Sequence, residues 1–190
     1  MNRREALQRV ALLMGGTVIG ANLFLQGCTQ EASTKDVAAL FDAKSTDFIG
    51  DLAEVILPKT ATPGAKEAGV GEFIPVMIRD CYTEADQKIF VEGLAGIDAQ
   101  AEKQFKKKFQ ALSAEEKTTF VNALDKEAST YQKEKKEGDP THFFTMFKQL
   151  TLTGFFTSEV GATKALRYVK IPGKYDGNFP YKKGEKAWAL

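Results

Sequence analysis

Few residues in this 190-residue chain combine a reactive side chain with the spacing that chemistry requires. The lone histidine, His142, has no second histidine or cysteine near it, so a metal site is not predicted there. We interpret His142 as a helix cap or as a core residue beside Phe143. The carboxylates mostly fall beside lysines, as in Glu115, Glu116 and Lys117, which is typical of a solvated helix face and not of an acid–base pocket.

Motifs that hold a redox cofactor do not occur in the sequence either. A nicotinamide or flavin site begins with a strand, a glycine-rich turn and a helix, whereas Gly64, Gly69 and Gly71 have other spacings and follow a predicted helix. A c-type haem requires Cys-x-x-Cys-His, and Cys28 and Cys81 lie far apart. The sequence therefore predicts no cofactor in this chain.

The first 28 residues have the pattern of an export sequence. Arg3 and Arg4 precede an uncharged, mostly apolar run over residues 10–25, and Leu25-Gln26-Gly27-Cys28 looks like a lipobox. Paired arginines resemble the address of the route that exports proteins already folded. We expect residues 1–27 to be a twin-arginine-type signal peptide and Cys28 to be lipidated. The mature protein would then lie in the periplasm, anchored to the cell envelope by its lipid.

Two alternatives stay open at this end of the chain. The apolar run is shorter than the roughly 20 residues of a membrane-spanning helix, so a retained N-terminal anchor is the second hypothesis. Export through the general route is the other, because the residue before the arginine pair is Asn2, where Ser or Thr is common, and Ala6 stands where Phe is common.

The second cysteine, Cys81, ends an apolar run that starts at Phe73, which favours burial as a small hydrophobic side chain. The compartment that such an export sequence reaches normally permits disulfides. If Cys28 is lipidated, Cys81 has no partner within the chain, and a cross-link to another chain is the alternative.

The charge balance argues against a nucleic-acid partner. The chain contains 26 Lys+Arg against 25 Asp+Glu, a net charge of +1. Removal of residues 1–27 leaves 23 basic and 24 acidic residues, a net charge of −1. No strongly basic face is implied, so nucleic-acid binding is not predicted.

Apolar residues recur at helical spacing through most of the remaining chain. Residues 28–44 are poor in large apolar side chains and are expected to form a tether, followed by one helical domain over residues 45–190. The predicted class is all-α, with five to six helices around a Phe-rich core and an extended, turn-rich C-terminal tail.

Helix boundaries follow from caps and helix breakers. The first predicted helix is capped at Ser45-Thr46-Asp47 and ended by Pro58. The second covers Glu72–Tyr82, with Pro75 in its first turn, and the third runs from Thr83 to about Gln110. The fourth opens with a capping box at Ser113–Glu116 and ends in the charged loop 133–140. The fifth covers Thr141–Thr157, and a short sixth helix follows Ser158 and runs to about Tyr168.

The segment Thr141–Thr157 is the most apolar of these helices. Its apolar residues lie nearly all round the helix, which is typical of the centre of a bundle or of a surface under a partner. After Tyr168 the helical pattern stops, and residues 171–181 combine turn formers with aromatic residues.

Two turn-rich clusters stand apart from the helical pattern, and by spacing alone they could simply close the fold. They resemble the gluconate 2-dehydrogenase subunit 3 family, the small subunit of membrane-bound sugar and polyol dehydrogenases. The residues that carry the resemblance are Ala53–Pro58, Thr60, Thr62–Ala65, Ala68–Val70, Phe73-Ile74, Phe143-Phe144, Leu150–Glu159, Pro172-Gly173 and Tyr175–Gly177.

This resemblance implies a subunit with no catalytic residue, cofactor or metal of its own. The implied partner is a flavoprotein of the glucose-methanol-choline oxidoreductase type, which carries FAD and oxidises a sugar or glucoside hydroxyl. A cytochrome c subunit with haem c often accepts the electrons. The small subunit is implied to supply the export signal, to support folding and assembly, and to anchor the catalytic subunit.

A docked subunit needs a large interface with aromatic anchors. We expect those anchors among the aromatic residues after the apolar helix, namely Phe155, Phe156, Tyr175, Phe179, Tyr181 and Trp188. Two other classes stay open at this point. One is a stand-alone envelope lipoprotein that binds a small molecule or has its own enzymatic activity, with His142, Cys81 or Glu159 in a closed pocket. The other is a purely structural envelope lipoprotein.

Overall fold

The computed structural model describes residues 35–171 and 173–189. This part of the chain contains six α-helices: α1 Lys35–Ala38, α2 Ala43–Ile56, α3 Val70–Cys81, α4 Glu84–Phe105, α5 Ala114–Glu134 and α6 Phe143–Thr157. Short 3-10 turns follow α1 and α4 at Ala39–Phe41 and Phe109–Ala111, and a π-helical turn, Gly161–Ala165, follows α6. The strands β1, Arg167–Tyr168, and β2, Trp188–Ala189, pair in parallel. The predicted all-α class is confirmed.

The folded part begins before residue 45. Val37 and Leu40 are buried in the core, so residues 35–44 belong to the packed domain and not to the predicted tether. Residues 1–34 lie outside the described residues, and these include Arg3, Arg4, Cys28 and the rest of the predicted tether. Helix α2 begins at Ala43 because Asp42 Oδ1 accepts the backbone N–H groups of Lys44 and Ser45, both at 2.8 Å. The predicted cap at Ser45-Thr46-Asp47 is therefore wrong.

Helix α3 crosses α2 at close range. It begins at Val70, after Gly69 adopts a left-handed conformation with φ 74°, and this early start places Pro75 in the second turn and not in the first. A Cβ atom on Gly71 would lie 2.5 Å from the carbonyl oxygen of Thr46, so the two helices can approach this closely only with glycine at that position.

Helix α4 is shorter than predicted. Lys106 adopts a left-handed conformation with φ 59°, which ends the helix at Phe105. Phe109 then enters the core from the following 3-10 turn, and its backbone N–H donates to Asp98 Oδ1 at 3.1 Å. Its ring centroid lies 5.5 Å from that of Phe48 and 5.9 Å from that of Phe120.

Helix α6 lies at the centre of the bundle, in contact with α3, α4 and α5. Its Phe147 ring stacks on Phe90 at 6.2 Å and on Phe144 at 6.3 Å between centroids. The largest fully buried side chains are phenylalanines, which confirms the predicted Phe-rich core. Burial of each such side chain stabilises the fold by about 1.5–3 kcal/mol.

Candidate partner interface

The loop between α2 and α3 is held by one carboxylate. Glu54 Oε1 accepts the backbone N–H of Lys59 and Oε2 accepts that of Lys66, each at 2.8 Å. A Cβ atom on Gly64 would overlap the same carboxylate, so the Pro-Gly turn closes over it only because glycine has no side chain. The Ala65 N–H also donates to the Leu57 carbonyl at 2.9 Å. The bonds of this cluster are therefore used to close the fold.

Ion pairs fasten the same loop to α2 from outside. Lys66 Nζ lies 2.7 Å from Asp47 Oδ1 and 2.6 Å from Asp51 Oδ1. The hydrogen bond to Asp47 and then the one to Asp51 raise the pKa of Lys66 above its ordinary value. Lys59 and Glu67 form a further pair at 2.9 Å, and their hydrogen bond raises the pKa of the lysine and lowers that of the glutamate. These side chains are between 27% and 70% exposed, so solvent screens the pairs and they contribute little to stability.

His142 has a structural role at the start of α6. His142 Nδ1 accepts the backbone N–H of Phe144 at 3.2 Å and caps α6, and its ring packs on Tyr131 and Phe143. The predicted capping role is confirmed. Within residues 35–171 and 173–189, no group of three or more His, Cys, Asp or Glu side chains is arranged to hold a metal ion.

Cys81 is exposed, so the predicted burial is wrong. It is the last residue of α3, where the chain turns away, and the partly buried side chain of Tyr82 packs against the core in its place. Its thiol is free within the described part of the chain.

An open groove of about 840 Å³ lies beside the start of α2 and the middle of α4. Leu40, Phe48 and Leu94 form its apolar wall, and Asp47 and Asp98 are among its polar residues. His142, Cys81 and Glu159 do not line it. The groove therefore does not gather the side chains that a stand-alone enzyme was expected to place in a closed pocket.

The outward side of α6 carries two exposed apolar side chains. Leu152 and Phe156 are 36% and 41% exposed, and their four-residue spacing places them side by side. Phe155 lies in the core, 4% exposed, with its ring in edge contact with Phe156 at 5.1 Å between centroids. Phe156 is thus available to a partner, while Phe155 supports it from beneath.

The junction after α6 is tightly closed. The hydroxyl of Ser158 donates to the Phe155 carbonyl at 2.7 Å and accepts the Gly161 N–H at 2.9 Å. A Cβ atom on Gly161 would overlap that carbonyl oxygen. The predicted cap at Ser158 is confirmed, but the helical turn ends at Ala165 because the next residues pair with β2.

The C-terminal segment folds back on one cation. The guanidinium of Arg167 lies 4.4 Å from the ring centroid of Trp188 and 5.9 Å from that of Phe179, and it pairs with Glu185 at 3.1 Å. The two rings also make an edge contact with each other at 5.3 Å. Phe179 and Trp188 are about half exposed, so the cluster remains a surface feature. Arg167 was not anticipated from the sequence, because the pairing of β1 with β2 joins distant residues.

A protein-family comparison decides what this helical domain is related to. The sequence model of the gluconate 2-dehydrogenase subunit 3 family matches residues 43–173. The chain belongs to this family. No curated protein and no solved structure matches the chain.

Membership of the gluconate 2-dehydrogenase subunit 3 family indicates a non-catalytic subunit of a dehydrogenase complex. The matched residues include the loop held by Glu54, all of α6 and the junction at Ser158. The aromatic residues from Tyr175 onwards lie beyond the match. None of the described helices has the length and hydropathy of a membrane span.

Proposed function

We propose that this chain is the non-catalytic small subunit of a periplasmic, membrane-associated, FAD-dependent dehydrogenase of the glucose-methanol-choline type that oxidises a sugar or glucoside. In this complex it supplies the export signal, supports folding and assembly, and anchors the catalytic subunit. The observation that carries the proposal is the family match over residues 43–173.

The surface of the helical domain supports a docking role. Leu152 and Phe156 lie side by side on the outward face of the most central helix of the bundle and form an exposed apolar pair. Exposed aromatic side chains of this kind are the anchors of stable subunit interfaces. The surface around Phe156, together with Tyr175, Phe179, Tyr181 and Trp188, is the proposed contact with the catalytic subunit.

The N-terminal residues supply the proposed export and anchoring roles. Arg3 and Arg4 are the address for export in the folded state, which suits a passenger that must bind its flavin before it leaves the cytoplasm. Cys28 is the proposed site of lipid attachment. A single acyl chain holds a protein to a membrane only marginally, so anchoring would require the several chains of a bacterial lipoprotein or a membrane-bound cytochrome c subunit carrying haem c as a third component.

Co-expression tests the carrier role directly. The full chain is produced together with a glucose-methanol-choline-type flavin oxidoreductase from the same genome, and the flavin content of the periplasmic and membrane fractions is measured. Replacement of both arginines, Arg3→Lys with Arg4→Lys, is expected to retain the flavoprotein in the cytoplasm. Arg9→Lys makes the same chemical change outside the pair and is expected to leave export intact.

Full export of the flavoprotein with the double arginine variant would contradict the carrier role. Cys28→Ala separates anchoring from export, because the flavoprotein should then reach the periplasm but leave the membrane fraction. A flavoprotein that is exported in full without this chain would contradict the proposed function as a whole.

A further inference from the structure

The C-terminal segment is strongly basic. Residues 167–189 contain six basic and two acidic residues, a net charge of +4, whereas residues 28–166 contain 17 basic and 22 acidic residues, a net charge of −5. The near-neutral total therefore conceals a strong separation of charge between the helical body and its C-terminal segment. Despite this attraction, most side chains of the segment remain exposed, although Lys186 Nζ donates to the Lys164 carbonyl of the preceding helical turn.

The base of the segment is closed by backbone hydrogen bonds. We define the C-terminal loop as residues 169–171 and 173–187, between β1 and β2. Backbone hydrogen bonds from Arg167 N to Ala187 O at 2.8 Å and from Val169 N to Ala189 O at 3.2 Å close it, and the stack of Arg167 on Trp188 fastens the same point. A loop closed at its base has less conformational entropy to lose on binding than a free tail has.

The far part of the loop presents aromatic side chains to solvent. Tyr175 and Tyr181 are 96% and 81% exposed, and the lysines at positions 170, 174, 182 and 183 flank them and are also exposed. Asp176 and Asn178 form the turn between the tyrosines, where the Asn178 N–H donates to Asp176 Oδ1 at 3.1 Å. Tyrosine combines a large contact area with few rotatable bonds and is enriched at protein interfaces.

We propose that the C-terminal loop is a preformed docking element that binds an acidic protein surface on the catalytic subunit, with Tyr175 and Tyr181 as anchors and the four lysines as steering charges. This rests on the proposed function and names the chemistry of the partner's surface. A protein surface is favoured over an anionic membrane because the aspartate between the two tyrosines would be repelled by anionic headgroups. A protein surface can instead place a donor opposite that carboxylate.

Binding kinetics between this chain and the co-expressed flavoprotein test the proposal. One variant replaces the four loop lysines, Lys170, Lys174, Lys182 and Lys183, by Gln. Its control replaces four exposed lysines of the helical body, Lys103, Lys126, Lys133 and Lys136, by Gln and so makes the same change in net charge. The loop variant should associate about tenfold more slowly at about 20 mM salt, and its association rate should lose most of its dependence on salt. The body variant should show neither change.

Tyr175→Ala with Tyr181→Ala should raise the dissociation constant at least about tenfold, mainly through faster dissociation.

The outcomes separate the two proposals. If the wild-type chain binds the flavoprotein and neither loop variant changes the rates, the docking loop is refuted while the proposed function stands. If the wild-type chain does not bind it, both are refuted. The mature chain with Cys28→Ala and with its loop lysines intact is also mixed with vesicles of about 30% phosphatidylserine in phosphatidylcholine. Vesicle binding that is lost when the four loop lysines are replaced, together with unchanged binding to the flavoprotein, would overturn the proposal. The loop would then bind a membrane and not an acidic protein surface.

Discussion

The carboxylate of Glu54 occupies the space that a side chain on Gly64 would fill. It can remain there because the backbone N–H groups of Lys59 and Lys66 hold both of its oxygens. The contact explains why a loop with two turn-forming residues at Pro63-Gly64 is ordered and largely buried at its centre.

Gly64→Ala and Glu54→Gln should destabilise the fold by breaking the same contact. The added methyl group displaces the carboxylate, at a cost of about 1–3 kcal/mol. The amide of glutamine sets a donor against a backbone N–H, at a cost of about 1–3 kcal/mol. Urea denaturation should show that the double variant loses less free energy of unfolding than the two single variants lose in sum. Gly96→Ala, where the nearest atom to the new Cβ lies 4.0 Å away, should be neutral or slightly stabilising.

Glu116 should make part of the stability depend on pH. Its pKa is lowered, first by the backbone N–H of Ser113 and then by Lys107, so its stabilising effect is present above the unfolded value of 4.5 and is lost as the pH falls through the folded value. Glu116→Gln keeps an acceptor for the capping box but does not titrate. Urea midpoints should therefore fall less for the variant than for the wild type between about pH 5 and about pH 3. Glu115→Gln removes a neighbouring charge without this contact and should behave as the wild type does.

Lys66→Met should change stability little, although the lysine makes two short ion pairs. The side chain is 46% exposed, and exposed pairs contribute less than about 1 kcal/mol. Because the pKa of the lysine is raised, its contribution is fully present below the ordinary value of 10.5 and is lost only at higher pH. Thermal unfolding at pH 6 and pH 9 should give the same small difference from wild type. A loss as large as that of Glu54→Gln would contradict this ranking.

Leu152→Gln with Phe156→Gln should weaken the complex and leave the domain folded. Leu152 and Phe156 are 36% and 41% exposed, so part of each side chain is covered and the free energy of unfolding should fall by about 1–2 kcal/mol. Affinity for the flavoprotein should fall at least about tenfold if the pair is an interface anchor. Gln149→Ala with Thr153→Ala alters neighbouring exposed positions on the same helix and should leave the affinity unchanged. Equal affinities for both variants would remove α6 from the proposed interface.

Cys81 should react with a maleimide or with a disulfide reagent in the native protein, because its thiol is exposed at the end of α3. The measurement uses the Cys28→Ala chain, in which Cys81 is the remaining thiol. Labelling should be complete without denaturant, and Cys81→Ser should leave the urea midpoint unchanged. If labelling required denaturant, the thiol of Cys81 would be buried and the prediction would be wrong.

The sequence by itself determined the class of the fold, because helical periodicity and capping residues act over a few neighbours along the chain. The capping box at Ser113 and the cap at Ser158 follow from such local patterns. The order of the turn-rich clusters also carried the family resemblance, which the match over residues 43–173 confirms. Local patterns were misleading where two caps competed, as with Asp42 and Ser45, and where a helix ended before its apolar spacing did, as at Phe105.

Only the tertiary structure decided which apolar and charged residues meet. Phe155 and Phe156 are neighbours in sequence, yet one is buried and the other is exposed, because the helices that pack on α6 cover only part of its circumference. The exposure of Cys81 depends on where α3 ends relative to its neighbours. The pairing of Arg167 with Trp188 depends on the C-terminal loop bringing β2 back alongside β1 in parallel, which no local pattern encodes. Contacts of this kind join residues far apart in the chain, so they are fixed by packing and not by spacing.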